Sequence, residues 1–135
     1  MNRRQARETV FSLVFAHDFQ QAECDEAEYE TALASMEAED DPYVRSCFFG
    51  ILEKHGEIDE LISRHAVGWK TNRMTRTSLA IMRVATYEML NAEDVPAAVA
   101  INEALEIAKI YDDDNAPAFI NGILNAIARA EGKIQ

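Results

Sequence analysis

Glycine and proline are scarce in this chain, five and three of 135 residues, and their scarcity removes the turns from which hairpins and β-sandwiches are built. No stretch alternates apolar and polar residues as a half-buried strand does, and no repeat marks a solenoid. Runs of about 18 or more apolar residues are missing, so no membrane-spanning segment is expected. The amino end carries arginines with no apolar segment behind them, which argues against a secretory signal. Only two cysteines occur, Cys24 and Cys47, and they match neither a metal nor a redox spacing. A cytoplasmic protein is expected.

Catalytic constellations are lacking as well. His17, His55 and His65 fall in different helical segments without ligand spacing, so each reads as a surface or half-buried side chain. No serine sits in a nucleophile elbow, and no glycine-rich phosphate loop is present. Asp112, Asp113 and Asp114 lie between the end of one helix and the start of the next. Acids are disfavoured at the first of these positions and favoured at the second, which suits a solvated connector better than a cation site. No enzyme activity, cofactor or metal is expected.

What is present is helical periodicity along almost the whole chain. Ala6, Val10, Leu13, Val14 and His17 recur at helical spacing in a first helix from about Arg3 to Gln20. A second spans about Glu23 to Glu39, with Tyr29, Leu33 and Met36 inward. Asp41-Pro42 opens a third that ends near Gly56. A short fourth carries Ile58, Leu61 and Ile62 on one face, and Gly68-Trp69 marks a bend. A fifth covers about Thr75 to Asn91, a sixth follows Asp94-Val95-Pro96, and Asn115-Ala116-Pro117 opens a seventh. The fold class is therefore all-α, a bundle of about seven helices. Residues 1–135 form one domain, with an N-terminal helical part over about 1–68 and a C-terminal part over about 69–135. Helices five and six are apolar around most of their circumference and are expected at the centre.

Charge is unevenly spread. The formal net charge is −11, yet nine acids and no lysine or arginine fall between Glu23 and Asp41. Outside that block, 13 bases face 15 acids. From Leu61 to Tyr87 there is no acid, while Arg64, Lys70, Arg73, Arg76 and Arg83 are all basic. This segment either extends a nucleic-acid surface or docks on the acidic second helix, and the second reading is preferred because that helix needs a neutralising neighbour. At about 100° per residue, Arg3, Arg4 and Arg7 share an arc of roughly 100° on the first helix, with Phe11 and Phe15 beside them. Such an edge can fork onto phosphates near stacked bases, or form a frayed, solvated end paired to the acidic helix.

The segment VPAAVAINEALEIAKIYDDDNAPAFINGILNAI at 95–127, LAIMRVATYEML at 79–90, Trp69 with Arg73, and RRQARE at the start resemble the NusB family of bacterial transcription antitermination factors. The resemblance implies two small helical subdomains and a non-enzymatic RNA-binding role. The implied partners are the small-subunit ribosomal protein NusE, boxA-type single-stranded RNA of ribosomal-operon leaders, and the RNA polymerase antitermination complex. Arg3, Arg4 and Arg7 fall on the family's arginine-rich motif, with Gln5 where a further arginine is common. Phe119 matches an aromatic of the RNA surface, and beside Ile120 and Ile123 it also fits a core. Glu88 matches an acid at the NusE interface, with a structural ion pair to another helix as the rival role. Phe15 stands where a tyrosine meets the same partner. On this reading Glu88→Ala loses partner affinity while keeping the fold. A protein-binding module with little RNA affinity, or a stand-alone relative of the NusB-like domain of ribosomal RNA methyltransferases, are the other readings.

Overall fold

The computed structural model describes residues 1–66 and 74–134. Gly68, Trp69, Lys70 and Arg73 lie outside the described residues, as do the expected bend and the expected boundary between the two helical parts. Among the described residues there are seven helices and no strand: α1 (Arg3–Ala16), α2 (Glu26–Ser35), α3 (Pro42–Glu53), α4 (His55–His65), α5 (Arg76–Asn91), α6 (Ala97–Tyr111) and α7 (Ala116–Ala130). No described helix is long and apolar enough to cross a membrane.

Short polar side chains set several starts. Asp25 accepts from the Glu28 amide at 2.8 Å, Asp41 from the Tyr43 amide at 2.8 Å, and Thr75 Oγ1 from the Ser78 amide at 2.9 Å. Each satisfies an amide that the first helical turn leaves without a carbonyl. The first helix stops at Ala16 rather than near Gln20, where His17 turns to an extended backbone and its amide closes on Leu13. The second is shorter at both ends than its run of helix formers suggests, because Ala22 and Glu37 adopt positive φ in the flanking turns.

The fifth helix is the hub. It packs against α1, α3, α4, α6 and α7, and it buries Ile81, Met82 and Val84 together with Ala80 and Ala85. Helix α6 does not share that position. It packs on α5 and α7 through Ala97, Ala100, Ile101, Ala104, Ile107 and Ala108, and leaves Val99, Ile110 and Tyr111 exposed. Its apolar circumference is wide because the buried stripe is alanine-rich, which permits close approach on one side only. Across the bundle α7 closes the core with Ile120, Ile123, Leu124 and Ile127, all 1% exposed or less. Burying each such side chain is worth about 1.5–3 kcal/mol.

Among the described glycines, Gly50 is the one that packing dictates. Gly122 in α7 is exposed, with nothing within 4 Å of where a Cβ would stand, so close helix packing does not explain it. Gly50 in α3 does face a neighbour: a Cβ there would collide with the ring and hydroxyl of Tyr87 on α5.

Candidate nucleic-acid interface

The amino end is built, not frayed. Asn2 Oδ1 accepts from the Gln5 amide at 2.8 Å, and the Asn2 amide donates to Gln5 Oε1 at 2.9 Å. This reciprocal cap holds the chain helical from Arg3 onward, so the arginines project at fixed angles. Gln5, which the sequence offers only as a missing arginine, is half of the cap.

The three arginines have different fates. Arg4 forks onto Glu103 of α6, Nε to Oε2 and Nη2 to Oε1, both at 3.0 Å, with 61% of its side chain still exposed. Arg3 places Nη2 3.3 Å from Asp94 Oδ2 and its guanidinium 3.8 Å over the Tyr43 ring. Neither pairs with the acidic segment 23–41. Arg7, by contrast, is buried, at 5% exposure, and is not presented on the open edge with the other two. Arg7 lies within the same arc but one turn further along the axis, where α1 packs on α5.

Arg7 meets Glu88 there. Its Nε donates to both carboxylate oxygens, at 2.9 and 2.8 Å, and Glu88 is only 1% exposed. The Tyr43 hydroxyl donates to the same carboxylate. Burial, and then the neighbouring Glu88 carboxylate, hold the Tyr43 phenol well above its ordinary range. Burial likewise pushes the Cys47 thiol up to about 12. In this structure the Glu88 carboxylate is held inside the bundle, in an ion pair with another helix.

Phe119, placed by resemblance on the RNA surface, packs within the core at 7% exposure. Phe15 is 39% exposed, with the Arg76 guanidinium 5.1 Å from its ring centre. Its ring also lies 6.2 Å from that of Phe11, which in turn lies 5.3 Å from the half-exposed ring of Tyr111.

Among the described residues, Arg64, Arg76 and Arg83 of the basic stretch do not dock on the acidic helix. Arg64 pairs with Glu60 on its own helix at 2.7 Å, and Arg83 forks onto Asp59 of α4 at 2.8 and 2.9 Å. The neutralising neighbour of α2 is instead Arg45 of α3, which binds Glu26 and Asp40 together, with Nη2 to Asp40 Oδ2 at 2.6 Å. Tyr29 donates to Asp40 at 2.8 Å, and Arg45 and this phenol hold the Asp40 carboxyl below its usual range. One arginine in the next helix does locally what the sequence assigned to a distant segment.

Of the three connector acids, Asp112 has a structural task. It accepts from Ser78 Oγ and lies 3.2 Å from Thr75 Oγ1, tying the start of α5 to the end of α6. Asp113 and Asp114 are exposed. His17, His55 and His65 are each half-buried.

The family model described as "NusB family" matches residues 4–129. The transcription antitermination protein NusB of Bacillus subtilis (strain 168) is 42% identical over 127 residues, which cover 94% of this chain and 95% of that one. That of Bacillus pumilus (strain SAFR-032) is 41% identical over the same length. Among solved structures, T. maritima NusB superposes with a TM-score of 0.81 at 39% identity, covering 96% of this chain and 92% of that chain. A chain from a structure of antitermination factors NusB and NusE in complex with dsRNA gives a TM-score of 0.79 at 21% identity, over 95% of this chain and 96% of that one, a likeness of fold.

Proposed function

The chain belongs to the NusB family, and from that premise we propose that it acts by binding rather than catalysis, as a transcription antitermination factor. It takes up boxA-type single-stranded RNA from a ribosomal-operon leader, together with the ribosomal protein NusE, and so favours read-through by RNA polymerase. The observation that carries the RNA part is the capped, outward presentation of Arg3 and Arg4. Their relatively exposed guanidiniums stand on a rigid helix end, and the Arg4 fork already grips a carboxylate of the shape that a phosphate copies.

Phosphate contacts of this kind position an RNA without reading its sequence, and the partner protein completes the surface that reads bases. The net charge does not by itself decide RNA affinity, because exposed charges more than about 8–10 Å apart are largely screened at physiological salt. The test is a titration of labelled boxA RNA with and without NusE, at several salt concentrations. The double variant Arg3→Ala with Arg4→Ala is expected to weaken binding and to flatten the log–log salt slope by up to about two. Wild-type affinity and slope in that variant would exclude the arginine edge.

A further inference from the structure

Arg3 is held differently from its neighbour on the arginine edge. Arg4 spends two N–H groups on Glu103. Arg3 turns a single guanidinium nitrogen to a carboxylate, Nη2 at 3.3 Å from Asp94, and the Asp94 side chain is 70% exposed. An exposed ion pair of this kind holds a long side chain only weakly. The second contact is the ring of Tyr43, whose centre lies 3.8 Å from the guanidinium carbon. Arg45, Arg76 and Arg83 also lie over aromatic rings, at 4.8, 5.1 and 4.0 Å, so the Arg3 stack is the tightest among the described residues. Tyr43 is itself fixed. It stands in the first turn of α3, where its amide donates to Asp41 at 2.8 Å. Its hydroxyl donates to the buried Glu88 carboxylate, which also accepts from Arg7. One end of the phenol is thus tied into the core while its ring lies under the first residue of α1.

We propose that Tyr43 is a positioning residue for RNA binding: its ring sets the Arg3 guanidinium in place for a phosphate of the RNA backbone. The inference rests on the RNA-binding reading above. A carboxylate competes with phosphate for the N–H groups of an arginine, whereas an aromatic ring attracts the cation through its face and leaves the planar fork able to bind an anion. An arginine on the first turn of a helix otherwise samples many rotamers, and ordering it on binding costs affinity. A ring that already narrows those rotamers removes part of that cost. Asp94 does not oppose this role, because its exposed carboxylate lies in the connection between α5 and α6, within reach of solvent and easily displaced. Through Tyr43 the direction of Arg3 is tied to the same Glu88 carboxylate that Arg7 meets one turn along α1.

The experiment uses the full chain and fluorescein-labelled boxA leader RNA, read by anisotropy across a salt series. Tyr43→Leu is expected to weaken binding about three- to tenfold at every salt concentration, with the slope unchanged because no charge is lost. Arg3→Ala is expected to weaken binding and to lower the slope by about one. In the Arg3→Ala background, Tyr43→Leu should cost nothing further. Tyr43→Phe keeps the ring and should bind within about twofold of the wild type, although losing the hydroxyl lowers its stability to urea. Urea unfolding shows which variants are folded under the titration conditions, and Tyr43→Met replaces Tyr43→Leu if the latter is not. If the folded ring-less variant binds like the wild type, or loses as much again without Arg3, Tyr43 does not act through Arg3 and the inference falls. An equal loss in Tyr43→Phe would assign the effect to the hydroxyl and the core it anchors, and tighter binding by Tyr43→Leu would mean that the ring holds Arg3 away from RNA; either overturns it. If Arg3→Ala alone binds like the wild type but Arg3→Ala with Arg4→Ala does not, the inference falls and the arginine edge stands. If both bind like the wild type, both fall.

Discussion

Arg7 of α1 and Glu88 of α5, 81 residues apart in sequence, meet in the core with the arginine Nε 2.8 Å from a carboxylate oxygen. A second donor, the Tyr43 hydroxyl from α3, completes the site. Three helices are thus pinned at one point by charge and hydrogen bonding, beneath the surface on which Arg3 and Arg4 stand. Arg7 serves the interface by fixing the helix that carries its neighbours.

Removing one member strands the other in the bundle. Glu88→Ala is expected to cost about 3–5 kcal/mol in urea unfolding, because an uncompensated guanidinium is left buried. Replacing both together, Arg7→Met with Glu88→Leu, should recover much of that loss. A Glu88→Ala protein of wild-type stability would contradict the burial of this pair.

At Gly50 the fault would be steric. Gly50→Ala forces a methyl group into the Tyr87 ring, and overpacking of this kind costs roughly 1–3 kcal/mol. Truncating the ring with Tyr87→Leu should make the same alanine nearly neutral in that background. A double-mutant cycle by chemical denaturation measures the coupling. Additive losses would show that the two positions do not touch.

Acid should loosen the α2–α3 clamp. Hydrogen bonds from Arg45 hold the Glu26 and Asp40 carboxyls below their ordinary values of about 4.3 and 3.9. A carboxyl depressed in the folded state binds its proton more readily when unfolded, so its stabilising contribution is present at neutral pH. That contribution is lost as pH falls below about 4. Arg45→Gln should therefore be less stable than the wild type at pH 7, with the gap closing as pH falls below about 4. A gap independent of pH would assign the role of Arg45 to its packing over the Tyr29 ring instead.

On the proposed function, Glu103 competes with RNA for Arg4. Glu103→Gln removes the charge that the Arg4 fork grips, and should raise RNA affinity a few-fold and steepen its salt dependence. The change is measured on the same RNA by anisotropy at low and moderate salt. Lower affinity would mean that Glu103 orients Arg4 for the RNA instead of competing with it.

Much of this molecule is readable without coordinates. Scarce breakers, helical periodicity and the Asp41-Pro42 and Asn115-Ala116-Pro117 signals give seven helices in order, because caps and apolar stripes are local properties. Lengths are less readable. The apolar spacing of α1 and α2 runs on past their ends, and the extended backbone at His17 and the positive φ at Ala22 and Glu37 end those helices.

The sequence by itself determined that this is an all-helical chain with three arginines on one edge of its first helix and its acids gathered elsewhere, since spacing along a helix is enough to fix a face. Only the tertiary structure decided what that face meets. Arg7 and Glu88 neutralise one another because α1 packs on α5 at that point, Arg45 of the next helix binds the acids at both ends of α2, and Phe119 turns into the core. Such pairings depend on the distance between helices far apart in the chain, and helical periodicity carries no information about that distance.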